Sequence, residues 1–105
     1  MPINIEISKA SNPIKKYKAV IQQPSGRTKT IHFGQAGASD MTQHKNEQRK
    51  NNYIQRHAKR EDWTASGYDT AGWMSRYILW NKPTITESIK DTNNRFKNLN
   101  IKLKT

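Results

Sequence analysis

Isoleucines at positions 3, 5 and 7 alternate with Asn4, Glu6 and Ser8, the pattern of a strand with one buried face. Ser11-Asn12-Pro13 interrupts it. Lys15 to Gln22 then predicts a second strand, with Tyr17, Ala19 and Ile21 on one face and Lys16, Lys18 and Val20 on the other. Gln23-Pro24-Ser25-Gly26 has the chemistry of a turn, because proline presets the first central position and glycine ends it. Thr28 to Phe33 returns as a third strand, so residues 14 to 33 read as a hairpin. Gly34 and Gly37 mark an irregular loop, after which Ser39 or Asp40 is placed to cap a helix.

The second half is helical in period. His44 to Trp63 contains neither Gly nor Pro and predicts one helix, starting at Thr42 or Glu47 and ending near Arg60. Its few inward candidates, Tyr53, Ile54, His57 and Ala58, share a face. A loop carries Trp63 as an anchor. A second helix is expected from Thr70 to Trp80, where Trp73, Tyr77 and Trp80 fall at i, i+4 and i+7 beside Met74 and Ile78. Asn81-Lys82-Pro83 ends it, and Thr84-Ile85-Thr86-Glu87 matches a capping box for a third helix from Ile85 to about Asn94, with Ile85 and Ile89 inward. Leu99, Ile101 and Leu103 alternate with polar residues and predict a fourth strand. Pairing the two terminal strands would close a small antiparallel sheet, made of the hairpin plus these strands, with about three helices on one side. The expected fold is thus α+β, in one domain spanning residues 1–105, with no internal repeat or linker.

Composition sharpens this picture. A chain of 105 residues with 32% hydrophobic content and a mean hydropathy of −1.05 has little with which to build a core. Three Trp, four Tyr and two Phe compensate, since each ring buries a large area. The expected core is therefore thin and aromatic: Phe33, Tyr53 and His57 from the middle of the chain, and Trp63, Trp73, Tyr77 and Trp80 from the stretch after α-helical residue Arg60. The absence of cysteine excludes disulfides and thiolate metal sites and is compatible with a reducing compartment. Nothing at the amino end has the basic and apolar regions of a secretory signal, and the longest apolar-leaning run, Tyr77 to Trp80, is far too short to span a bilayer. The expectation is a soluble protein that stays in the compartment where it is made, without membrane contact.

Charge says most about partners. The formal net charge is +11 and the isoelectric point about 10.1. Self-repulsion on that scale opposes a compact monomer unless anions offset it. Six cations fall between His44 and Trp63: Lys45, Arg49, Lys50, Arg56, Lys59 and Arg60. Positions 45, 49, 56 and 60 would lie near one stripe of a helix. Only Glu47, Glu61 and Asp62 are nearby to oppose them. Lys15, Lys16, Lys18, Arg27 and Lys29 add charge around the hairpin, and Lys97, Lys102 and Lys104 at the carboxyl end. The implied counter-charge is an acidic protein surface in an assembly or nucleic acid, DNA in preference to RNA. No helix-turn-helix, zinc-finger spacing or aromatic RNA-binding strand is present, so any nucleic-acid binding would be independent of base sequence. The aromatic set could stack on bases, but the spacing of Trp73, Tyr77 and Trp80 is that of a core stripe.

Catalysis has weak support. His32, Asp40, His44, His57 and Glu61 could in principle hold a metal or move protons. Yet His44 and His57 are 13 apart and cannot share a helical turn, and no HNH, HxxxH or paired-carboxylate spacing occurs. No catalytic residue, metal ligand or cofactor is expected.

One resemblance bears on origin. His32-Phe33-Gly34, Asp40, Thr42, His44-Lys45, Arg49-Lys50, Tyr53-Ile54, Arg56-His57 and Arg60-Glu61-Asp62-Trp63 are succeeded by Thr70-Ala71-Gly72, Ser75-Arg76 and Leu79 through Pro83. Over about residues 17 to 90 this string resembles a family of small basic proteins encoded mainly by large nucleocytoplasmic DNA viruses of algae and protists. That resemblance implies a viral origin and transfers no catalytic residue. Trp73-Met74 departs from the aromatic pair expected there, which puts the packing beside the second helix in doubt. It also suggests that His32-Phe33-Gly34 ends the hairpin, and that Arg56, His57 and Trp63 lock the first helix to it. The expected role is a non-enzymatic, virion-associated minor capsid or core protein gripping acidic partners. The alternative is a sequence-independent nucleic-acid-binding protein.

Overall fold

A computed structural model describes residues 3–11, 13–36 and 40–104, and of His44 and Ala65 the backbone alone. Strands β1 (Ile3–Lys9), β2 (Lys15–Gln22) and β3 (Thr28–Gln35) form an antiparallel meander. Two helices come next, α1 (Met41–His44) and α2 (Glu47–His57). After a 3₁₀ turn at Ala65–Gly67 comes α3 (Ala71–Met74), which runs directly into a π-helical turn (Ser75–Leu79). Helix α4 (Ile85–Arg95) and strand β4 (Leu99–Leu103) complete the chain.

The strand order is β3-β2-β1-β4. Alternation is as the isoleucine pattern predicts: Ile3, Ile5 and Ile7 are buried while Asn4 and Glu6 are exposed. The turn also forms, with the Gly26 amide donating to the Gln23 carbonyl at 3.0 Å. The fully antiparallel sheet expected from the sequence is corrected. The terminal strands do pair, but in parallel, Ile3 beside Leu99 and Ile5 beside Ile101, so the sheet is mixed. Alternation fixes which face is buried and carries no direction; direction comes from the crossover. Helix α4 delivers the chain to the amino end of β1, where the Ile3 amide donates to the Asn98 carbonyl at 2.7 Å, and β4 must then run alongside. Asn93 on α4 bonds the outer edge of β4 through both ends of its amide, to the Ile101 carbonyl at 3.0 Å and the Ile101 amide at 2.9 Å. That blunts an edge otherwise open to pairing.

The core lies between the sheet and α3–π–α4. The sheet contributes Ile5, Ile7, Ala19, Ile21 and Ile101, and the helical layer Trp73, Met74, Ile78 and Leu79, all essentially inaccessible. It is therefore more aliphatic than composition implies. Rings fill one end: Trp73 and Tyr77 lie 4.6 Å apart, with Phe96 against both. Gly34 has φ +77, and a Cβ there would sit 2.6 Å from Leu79 Cδ1, so only glycine lets β3 approach the helical layer here.

The π turn decides where Trp80 goes. The Trp80 amide donates to the Ser75 carbonyl at 3.0 Å, one residue further back than in an α-helix. The wider turn leaves the Tyr77 carbonyl to be bonded by Asn81 Nδ2 and Thr92 Oγ1, each at 3.3 Å. Trp73 and Tyr77 stay in the core, while Trp80 leaves their stripe and is half-buried. No helix among the described residues is long and apolar enough to cross a membrane.

Candidate functional site

The predicted single helix is two. Lys45 adopts the left-handed region at φ 54 and ends α1, and Asn46 starts α2 by accepting from the Gln48 and Arg49 amides at 3.0 and 3.2 Å. Helix α2 stops at His57, so Lys59 and Arg60 lie in the turn beyond it and the four-residue stripe does not form. Tyr53 is the one buried residue of α2. Its ring stacks on Trp80 at 4.3 Å and 2°, and His57 covers its other face at 4.3 Å. This stack holds α2 to the body of the protein.

An open cleft of about 510 Å³ lies beside the stack. Lys15 and Lys16 of β2 and Arg49 and Arg56 of α2 supply its cations. Phe33, Gly34 and Leu79 also line it, with Tyr53 and Trp80, and Glu61, Gly72 and Ser75 join them. Lys16 is committed: its Nζ lies 2.5 Å from the buried Asp40 carboxylate. Asp40 also accepts from the Thr42 amide and caps α1, as expected, while Ser39 lies outside the described residues. Burial, and secondarily Asp40, pushes the Tyr17 phenol up. Glu61 lies against Gly72, where any Cβ would collide with its carboxylate. Among the described residues Glu61 forms no ion pair. His57 accepts a contact from Arg60 Nη2 at 3.2 Å. Loss of hydration, then Arg60 and Arg56, hold its imidazole below the usual histidine range, against an opposing pull from Glu61.

Lys50 lies off the cleft. Burial lowers its ammonium pKa, and Arg76, Lys82 and Arg95 lower it further, with Glu47 opposing. Arg76 lies over the rings of Trp63 and Tyr77 at 5.6 and 5.1 Å and donates to the Trp80 carbonyl at 3.0 Å. Sequence reasoning named Lys50 but missed its grouping with Arg76, Lys82 and Arg95. The one available signal was the Asp91/Arg95 spacing, which forms a 3.0 Å ion pair.

The hairpin cations disperse. Lys15 and Lys16 reach the cleft, Lys18 pairs in register with His32, Arg27 is exposed near the turn, and Lys29 meets Asp69 at 3.4 Å. Of the expected core, Phe33, Tyr53, Trp73 and Tyr77 are buried. His57, Trp63 and Trp80 are only half-buried, because they flank the core instead of filling it. In place of the lock to the hairpin expected from Arg56, His57 and Trp63, the contact that holds α2 is the stack of Tyr53 on Trp80 at the end of the π turn, with His57 against Tyr53. The side chain of His44 falls outside the described part of the chain. No group of three or more His, Asp or Glu among the described residues could hold a metal.

A family model covers residues 5–57, from β1 to the last residue of α2. The chain belongs to DUF5754, a family of unknown function. No curated protein and no solved structure matches it. The DUF5754 segment carries the meander, both capped helices and the residues from Lys15 to His57 that line the cleft. Trp80, the stacking partner of Tyr53, lies beyond it.

Proposed function

We propose that this DUF5754 protein is a non-enzymatic structural component of an assembly, a minor capsid or core protein in the particle of a large DNA virus, that holds acidic partners through its basic surface. The observation that carries this reading is the set of cations around α2. Lys45, Lys50, Arg56, Lys59 and Arg60 form no ion pair among the described residues, although the chain carries a net charge of +11. Lys50 is even crowded by like charge. An external polyanion would relieve that repulsion. The viral resemblance supports the setting.

The test replaces Arg49, Arg56, Lys59 and Arg60 by Gln. Binding to polyglutamate should be lost with the circular dichroism spectrum unchanged. Unfolding of the variant would show these side chains to be structural, and absence of the protein from purified virions would remove the proposed setting. Preferential, steeply salt-dependent binding to duplex DNA would favour a sequence-independent nucleic-acid-binding role.

A further inference from the structure

We infer that the cleft is a docking groove for an extended acidic segment of a partner protein, with an apolar side chain of that segment seated near Ile14. This rests on the proposed acidic-partner reading and narrows it to one place and one chemistry.

The cleft does not end at β2. Lys15 and Gln35 line both it and a second depression, also about 510 Å³, formed with Pro13, Ile14 and Ala36. The two depressions adjoin at Lys15 and Gln35 and differ in character. The first has Arg56 with the Tyr53–Trp80 stack, and Lys15 stands at the shared boundary. The second presents Ile14, 65% exposed, where the other exposed large hydrophobic among the described residues, Leu103, reaches 36%. A cationic wall with an apolar station at one end complements a segment of Asp or Glu interspersed with an aliphatic residue.

Nucleic acid fits less well. Asp40 is already neutralised by Lys16, but Glu61 lines the cleft without an ion pair among the described residues; a sugar-phosphate backbone has no N–H to offer it, whereas a peptide can direct backbone N–H groups at Glu61. Tyr53 cannot stack on a base, since Trp80 and His57 occupy both faces of its ring.

Two probes and three variants test this. The probes are a fluorescein-labelled short peptide alternating Asp and Leu, and a duplex DNA. One double variant, Lys15→Glu with Arg56→Glu, alters the groove. A second, Lys102→Glu with Lys104→Glu, makes the same change in charge on β4 and just after it, at the cost of one exposed ion pair, Lys104 with Glu6 at 3.8 Å. Ile14→Ser alters no charge. Circular dichroism confirms that each is folded.

The groove variant should weaken peptide binding about ten-fold or more and the β4 variant far less. Ile14→Ser should weaken the peptide and leave DNA unaffected, and the peptide should shift the Trp80 indole N–H resonance. Equal loss in both double variants, with Ile14→Ser neutral, would mean diffuse attraction. That result overturns the groove while sparing the acidic-partner reading. DNA binding that depends on Lys15 and Arg56, without peptide binding, overturns the inference in favour of a nucleic-acid site. Failure of both probes to bind the unaltered protein overturns the inference together with the proposed function.

Discussion

Helices α2 and α4 are the same length, 11 residues, and begin and end alike. Each has a side-chain cap, Asn46 or Thr84, an acidic residue in its first turn and arginine in its last. Their local terms are thus nearly matched. Their attachment is not. Helix α4 buries Ser88, Ile89 and Thr92 and bonds β4 through Asn93 and the π turn through Thr92. Its Asp91 also accepts from the buried Asn81 at 2.9 Å. Helix α2 buries Tyr53 alone. Helix termini are a local property, whereas a place in the core depends on which side chains other elements can reach. The helix that leaves the core is the one free to carry charge.

The largest expected effect comes from the layer to which α4 belongs. Trp73 is fully buried, and its indole N–H donates to the Thr64 carbonyl at 2.9 Å. Trp73→Ala should cost about 3–5 kcal/mol, the range for emptying an aromatic core site. That is much of the stability of a small domain. Thermal melting should show a single transition at lower temperature; an unchanged midpoint would remove Trp73 from the core. Tyr53→Ala should act differently. Losing the stack and the burial of one ring should cost roughly 2 kcal/mol, felt by α2. Hydrogen exchange should speed up at α2 amides while α4 and β1 keep their protection. Uniform loss across both helices would erase the distinction between them.

The sequence is legible wherever neighbours along the chain decide the outcome. The isoleucine alternation, the Gln23–Gly26 turn, the Asp40 cap and the Thr84/Glu87 pair all form as read, though Glu87 meets the Thr84 hydroxyl, at 3.0 Å, instead of its backbone. The break at Lys45 was hidden because a lysine in the left-handed region has no composition signal, and Asn46 beside it passes for an ordinary polar helix residue. The parallel pairing of β4 was hidden because alternation is blind to direction. The π turn misplaced Trp80, since a helical wheel assumes one constant period. Of the cleft, the cations and Tyr53 were visible as separate signals. Their meeting with Lys15, Glu61 and Trp80 is tertiary, joining residues from β2 to the π turn's end.

The smallest effect, and the most specific to the contrast, is a difference in pH response. Asp91, on α4, has its carboxyl pKa held below the usual carboxylate range: burial pushes it up, but Asn81, Arg95 and Lys82 together outweigh that. A depressed carboxyl contributes stability above its unfolded pKa and loses it as pH falls through the folded value. Helix α4 should therefore hold until strongly acid pH. His57, at the end of α2, is depressed below the ordinary 6.5. Between its folded pKa and 6.5 the unfolded chain binds more protons, so stability rises with pH in that window and falls as pH drops through it. Below the folded pKa both states are protonated and the loss levels off. Loss of hydration disfavours the imidazolium most; of the groups facing the ring, Tyr53, Arg56, Arg60 and Glu61, the two arginines add to that and Glu61 opposes it. The effect should be small, because much of the ring's surroundings is water. Exchange rates at α2 amides should rise as pH drops from 6.5 to the folded pKa, once corrected for intrinsic exchange, with α4 unaffected, and His57→Gln should flatten that dependence. An NMR titration placing His57 above 6.5 would reverse the sign: Glu61 would then outweigh the lost hydration and the arginines together, and the end of α2 would behave as a paired site instead of a surface crowded with positive charge.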